Sequence, residues 1–388
     1  MSKTPPRIND VLAGAAFLMA TSAIGPGFLT QTTLFTAQNK ASFGFAILMS
    51  VLLDIGAQLN IWRIVALHQK RAPEIASLVL PGLGTALSLL IAFGGLAFNI
   101  GNIAGAGLGL NALAGIDTAS GAALSAAIAI ALFMVKEAGK AMDRFAQVLG
   151  LLMILLTAYV VYYARAPFGD ALKYSFMPQE INVLSIITLV GGTVGGYITF
   201  AGAHRLLDAG ISGPENIAAV SRSAVTAISL ASVMRILLFL AALGVVYQGV
   251  TLDKDNPAAS VFSYAAGPLG YRLFGFVLWS AAITSVVGSA YTSMSFLKSA
   301  IPALDRYEKP AIVGFILAST LTFVLAGKPV TLLVAAGALN GLILPVALAC
   351  MLLSLRGRFP QYPLYLKVCG WMVALTMMGF VVFAALSQ

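Results

Sequence analysis

Apolar stretches of membrane-spanning length, parted by short polar turns, dominate this chain. Requiring about 20 apolar residues for each crossing, the pattern predicts eleven helices. They cover roughly 11–38, 42–67, 83–112, 119–136, 143–164, 182–204, 217–248, 268–297, 310–327, 329–355 and 364–386. Residues 258–266 can form a short extra helix before the eighth span. No Ser- or Pro-rich linker divides the sequence, so residues 1–388 read as one membrane domain.

Two of these spans are interrupted near their middles, and the interruptions resemble each other. The first reads Gly25-Pro26-Gly27-Phe28-Leu29-Thr30 and the second Gly195-Gly196-Tyr197-Ile198-Thr199. Gly loosens a helix and Pro removes a backbone donor. Inside a bilayer the freed N–H and C=O groups survive only where protein or a cavity surrounds them. Paired broken helices at corresponding places in two halves of a membrane chain point to the binding site of a transporter.

Composition supports the membrane assignment. Hydrophobic residues make up 59% of the 388 and charged residues 10%, and the mean hydropathy is +0.93, outside the range of soluble domains. The net charge of +9 is therefore no nucleic-acid footprint. With the N-terminus inside, sixteen Lys and Arg fall on the cytoplasmic side, six on the other, and Arg235 within a span. That bias follows the positive-inside rule and puts the C-terminus outside a multi-pass protein of the cell (cytoplasmic) membrane. Cys350 and Cys369 lie in apolar segments without metal-ligand spacing, so they imply no disulfide framework.

Helices one to five and six to ten form two sets, each led by a broken helix. The sets cover about 9–165 and 182–355, followed by an extra helix at about 364–386. Five helices per set make the second set inverted in the membrane. The expected fold is all-α and LeuT-type, a five-plus-five inverted repeat with an eleventh transmembrane helix.

Several segments resemble the NRAMP (natural-resistance-associated macrophage protein) divalent-metal transporters. Leu12-Ala13-Gly14-Ala15-Ala16-Phe17, with eleven residues from Gly14 to Gly25, matches the lead-in to that family's Asp-Pro-Gly-Asn motif. Ser42-Phe43-Gly44-Phe45 looks like the start of its second helix, and Gly105-Ala106-Gly107-Leu108-Gly109-Leu110-Asn111 like part of its third. Gly192-Thr193-Val194 directly precedes the place of its Met-Pro-His. The resemblance implies a secondary transporter of divalent cations. The departures fall on the metal site itself. Gly25-Pro26-Gly27-Phe28 stands where the family has Asp-Pro-Gly-Asn, and Gly195-Gly196-Tyr197 where it has Met-Pro-His. The family's proton-handling Asp and Glu on the third helix fall on Asn99 and Asn102.

These losses bear on the substrate. A dehydrated Mn²⁺ or Fe²⁺ needs carboxylate, imidazole or thioether ligands, and Mg²⁺ still wants one or two carboxylates. What remains is unwound backbone, two helix N-termini at Phe28 and Tyr197, hydroxyls including Thr30 and Thr199, and the amides of Gln31, Asn99, Asn102 and, on the tenth helix, Asn340. Helix N-termini favour an anion. The expected substrate is a small organic acid, bound by Gly25, Pro26, Gly27, Phe28, Thr30, Gln31, Gly195, Gly196, Tyr197, Thr199, Asn99, Asn102 and Asn340, with no resident metal and no cofactor. Asn99, Asn102 and Asn340 could equally serve as interhelical hydrogen-bonding groups.

Three further groups are candidates for coupling or gating. Asp54, in mid-span, could carry a proton or hold a structural partner. Arg235 could pair with Asp54, clamp an anionic substrate or snorkel to an interface. His204, near the end of the sixth span, could gate with pH or simply make a structural hydrogen bond. A co-transported proton or Na⁺ is open. Two alternatives stand beside the organic-acid transporter: a divalent metal cation transporter, and a non-transporting sensor or scaffold, which would normally carry a soluble signalling domain. No Walker, HExxH or GxSxG pattern supports an enzyme.

Overall fold

The structure is a computed structural model that describes residues 24–135 and 138–386, with 138–147 described as backbone only. The lead-in at Leu12–Phe17, the first half of the first broken span and the last two residues lie outside the described residues.

The described residues fold into helices at every remaining predicted span. They are α1 (Pro26–Asn39), α2 (Phe43–His68), α3 (Ala72–Ser77), α4 (Leu83–Ala114), α5 (Thr118–Met134), α6 (Ala138–Tyr163), α7 (Phe168–Phe176), α8 (Val183–Thr193), α9 (Tyr197–Asp208), α10 (Ile217–Tyr247), α11 (Pro257–Ala300), α12 (Glu308–Ala326), α13 (Pro329–Ser354) and α14 (Leu364–Leu386). Among the described residues, eight helical stretches are long and apolar enough to cross a membrane, including Pro26–His68, which joins α1 and α2.

Helix ends follow the local chemistry. Pro opens α1, α11 and α13, where its missing N–H costs nothing. Asp117 caps α5 by accepting from the Ala119 and Ser120 N–H groups at 3.1 Å each. The predicted short helix before the eighth span is the first part of α11, which kinks at Ala266 and at Gly267 (φ 56°) just before Pro268. Two helices were not expected from the pattern. α3 is a six-residue turn that closes the loop after α2. α7 bends 105° from α6 and exposes Phe168, Leu172 and Phe176, four residues apart, on one face. Its other face buries Ala171.

Small residues bring the central helices together. A Cβ on Gly109 of α4 would sit 2.5 Å from the Trp279 backbone nitrogen of α11, and one on Gly275 of α11 would sit 2.6 Å from that of Leu113. This reciprocal approach makes α4 and α11 the most extensively packed pair, as small-residue faces do in lipid. One residue spacing, Gly101, Gly105 and Gly109, serves three neighbours: Leu333 of α13, Pro26 of α1 and Trp279 of α11. Two apolar clusters result. The larger runs through α1, α2, α8, α9, α10, α13 and α14 and reaches onto one side of α4 and α11. The smaller, including Ile103, Ala126, Ile283, Ala290, Ile316 and Phe323, is drawn only from α4, α5, α11 and α12.

Gly105→Leu should lower the melting temperature of the purified protein, since its side chain would drive into the Pro26 ring and overpacking costs about 1–3 kcal/mol. Gly288→Ala, where a Cβ meets nothing within 4 Å, should melt within about 0.5 kcal/mol of the parent.

Candidate functional site

The second break is built by residues 194–196, between α8 and α9. Val194 and Gly195 both donate to the Val190 carbonyl, at 2.9 and 3.2 Å, and the helix restarts with Ile198 donating to Gly195 at 3.3 Å. Gly196 holds φ 53° and ψ −125°, a conformation open to Gly and strained for side-chain-bearing residues. Its missing Cβ also leaves room for Asn340 Oδ1. On α8, Gly191 lies against the backbone of Gly337 and Gly341 on α13. The described half of the first break is simpler: Gly25 is extended, its carbonyl accepts from Leu29 at 3.2 Å, and α1 begins at Pro26.

The two breaks face one narrow cavity of ≈ 10 Å³, room for about one water centre. Gly25, Gly27 and Phe28 line it from the first break, Gly192 and Tyr197 from the second, Phe98, Gly101 and Asn102 from α4, and Leu333 and Ala336 from α13. Tyr197 meets Phe98 edge-on at 5.5 Å, and its hydroxyl lies beside the side chains of Ser289 and Asn102. Asn102 Nδ2 has no hydrogen-bond partner among the described residues. Gln31 reaches the same region from α1. Its Nε2 donates to the Leu333 carbonyl at 2.7 Å, and its Oε1, without a partner among the described residues, would lie 2.7 Å from a Cβ on Gly192.

Of the residues expected at the site, Gly25, Gly27, Phe28, Asn102 and Tyr197 reach the cavity wall. Pro26 instead packs on Gly105. Asn99 turns to α11, donating to Val286 O at 2.9 Å and Ser289 Oγ at 3.0 Å. Asn340 ties α13 to α4 by donating to Gly94 O at 3.0 Å. For both asparagines the interhelical alternative describes the geometry. Thr30 and Thr199 are buried, and the Thr199 carbonyl accepts from Trp62 Nε1 at 2.9 Å. Phe98, Gly101, Gly192, Leu333 and Ala336 were not expected. They are apolar residues or glycines within spans, and only the position of Gly192 just before the second break hints at its place.

The two intramembrane charges connect the breaks. Asp54 on α2 lies beside Thr193, the last residue of α8, and within electrostatic reach of Arg235 on α10. The Arg235 guanidinium rests over the Phe28 ring, 4.3 Å from its centroid. Arg235 is 2% exposed and sits about 27 Å and about 18 Å from the two ends of α10 by helical rise, beyond the reach of snorkelling. An uncompensated buried charge costs several kcal/mol, and the opposite charges of Asp54 and Arg235 offset part of each other's cost.

His204 belongs elsewhere, to the far end of α9. Its Nε2 accepts from the Ala72 N–H at 3.1 Å, so its ring proton sits on Nδ1, and it stacks on Phe296 at 5.2 Å. Beside it Arg71 pairs with Asp208 at 2.7 Å and donates to Ser295 at 3.0 Å. These contacts fasten α9 to α3 and α11.

A helical bundle with a broken span, two buried charges and a cavity at the break is the architecture of a multi-pass membrane transporter of LeuT-type fold. The natural resistance-associated macrophage protein-like family, Nramp, matches residues 16–387, and the chain belongs to that family. It is 57% identical over 373 residues to the uncharacterized membrane protein YcsG of Bacillus subtilis (strain 168), covering 95% of this chain and 92% of that protein. It is 56% identical over 382 residues to an uncharacterized membrane protein of Haemophilus influenzae, covering 97% and 96%. Among solved structures, a manganese transporter of Eremococcus coleocola, in complex with an aromatic bis-isothiourea substituted compound, shares the fold. Its TM-score is 0.75 at 14% identity, covering 98% of this chain and 88% of that one. MhsT in complex with L-phenylalanine matches with TM-score 0.66 at 15% identity, covering 98% and 99%.

Gly196→Val should abolish transport while the protein still reaches the membrane, because it strains a positive φ and strikes Asn340. Gly314→Ala, which meets nothing within 4 Å, should transport normally. Proteoliposome flux of both variants, with membrane insertion checked in parallel, decides the point: normal flux through Gly196→Val would remove the break from the site.

Proposed function

We propose that the chain is a secondary transporter of the cytoplasmic membrane that carries a small organic anion by alternating access. The observation that supports this most is the donor set at the cavity. It offers backbone, amides, aromatic rings and a nearby guanidinium on Phe28. Among the described residues no three His, Cys, Asp or Glu side chains gather where they could hold a metal ion. Residues 11–23, the lead-in to the first break, also contain no Asp, Glu, His or Cys. A bare divalent cation there would exchange its hydration shell for poor ligands beside a fixed positive charge.

In this reading α1, α8 and α9 tilt against α4, α5, α11 and α12, whose separate apolar cluster supports their acting as a rigid unit. The two repeats, about 9–165 and 182–355, are the halves related by inversion, and the Lys and Arg bias places the N-terminus in the cytoplasm and the C-terminus outside. The fastening of α9 by His204, Arg71 and Asp208 would then close the cytoplasmic end. A proton on Asp54 or His204, or a Na⁺ ion, is the coupling partner to test.

Family membership and the likeness to a manganese transporter favour a second reading, transport of a divalent metal cation. On this site the cation would be carried largely hydrated, with waters supplying the ligands the side chains do not. Isothermal titration of the purified protein with Mn²⁺, Mg²⁺ and a panel of small carboxylates separates the two. The organic-anion reading expects heat from carboxylates and Mn²⁺ binding no tighter than Mg²⁺. Tight Mn²⁺ binding that survives Asp54→Asn would sink it and establish the cation.

A further inference from the structure

Arg235 cannot shed its charge at any pH the protein meets, yet its Nε and Nη2 have no hydrogen-bond partner among the described residues. Those two N–H groups form one side of the guanidinium, the fork that receives both oxygens of a carboxylate in parallel. Asp54, the carboxylate within electrostatic reach, does not fill the fork, and its own Oδ1 is without a partner among the described residues. The guanidinium carbon lies over the Phe28 ring, 4.3 Å from its centroid, and Phe28 is also a wall of the cavity between the breaks. A planar donor pair is thus held in the apolar interior, one aromatic ring away from the site, with its carboxylate-binding edge unused.

We propose that the Nε–Nη2 edge of Arg235 anchors the carboxylate of the transported solute, with Phe28 as the shutter between anchor and cavity. This rests on the organic-anion reading above. The preferred ligand is a small monocarboxylate, since a neutral amide presents one acceptor where the fork wants two and brings no charge to the guanidinium. Asp54 acts as the standing counter-charge that a bound carboxylate replaces. Removing it should therefore strengthen binding of the solute.

Proteoliposomes carrying the full chain can be tested with radiolabelled acetate, lactate and benzoate, with their amides, and with Mn²⁺. The expected result is uptake of at least one carboxylate at ten or more times the rate of its amide. Arg235→Lys keeps the charge but loses the fork, and should raise the half-saturation concentration at least tenfold. Arg235→Gln should erase the preference for acid over amide. Because either variant could fail to fold, Asp54→Asn supplies a gain that misfolding cannot mimic: a several-fold lower half-saturation concentration for the same carboxylate. An unchanged half-saturation concentration in a folded Arg235→Lys protein, unchanged selectivity in a folded Arg235→Gln protein, or unchanged or weaker affinity in Asp54→Asn, overturns the anchor and leaves the organic-solute reading standing. Equal uptake of acids and amides by the parent protein does the same. Failure of every carboxylate to enter overturns the anchor together with the reading it rests on.

Discussion

A helix interrupted inside a bilayer leaves backbone groups that lipid cannot satisfy, and the rest of this molecule is arranged around that constraint. At residues 194–196 the Val190 carbonyl takes two N–H groups, while α13 closes over the gap. Gly191 against Gly337 and Gly341 lets the two backbones touch, Asn340 fills the space beside Gly196, and Gln31 brings α1 to the same helix by donating to Leu333. α13 is therefore the brace for both breaks. Its glycines are placed by what the breaks require rather than by its own stability as a helix.

The same constraint explains why the cavity is narrow and sparsely polar. Each unwound turn uses its neighbours to satisfy backbone, so Asn99 and Asn340 are spent on carbonyls of other helices. Around the breaks, groups with unused hydrogen-bonding capacity among the described residues include Gln31 Oε1, Asn102 Nδ2, the Oδ1 atoms of Asp54, Asn99 and Asn340, the Thr199 hydroxyl and one side of Arg235. The glycines shape the broken backbone, while the side chains facing it set the chemistry of the cavity wall. Backbone geometry and substrate chemistry are separable here, because the first depends on glycines and the second on what faces them.

Much of this was legible in the sequence, for identifiable reasons. The spans were readable because lipid demands about 20 apolar residues, and the breaks because Gly followed by an aromatic, a branched aliphatic and a Thr recurs at matching places in two spans. The kink at Gly267–Pro268 followed from those two residue types. Which face an asparagine presents was not legible, since Asn99 and Asn102 share a helix face by spacing yet serve different neighbours. Leu333 and Ala336 carry no signal that separates a cavity wall from packing. α7 escaped notice because nine residues with apolar side chains at Phe168, Leu172 and Phe176 are too short for a span and sit in what reads as a loop. That Arg235 lies on Phe28 is a tertiary fact, and the sequence alone left pairing, clamping and snorkelling open.

The bond from Trp62 to the Thr199 carbonyl has a mechanical implication. The indole also fills the notch at Gly202, so α2 and α9 are joined by a hydrogen bond and by a ring seated in a groove. α9 is almost entirely enclosed by protein, but α2 is not: Leu52 on α2 is 57% exposed, toward the lipid. Any tilt of α9 that keeps this joint must pull α2 through the surrounding acyl chains. Viscous drag and the thickness of the host bilayer would thereby enter the rate of such a tilt, through a tryptophan outside the cavity wall.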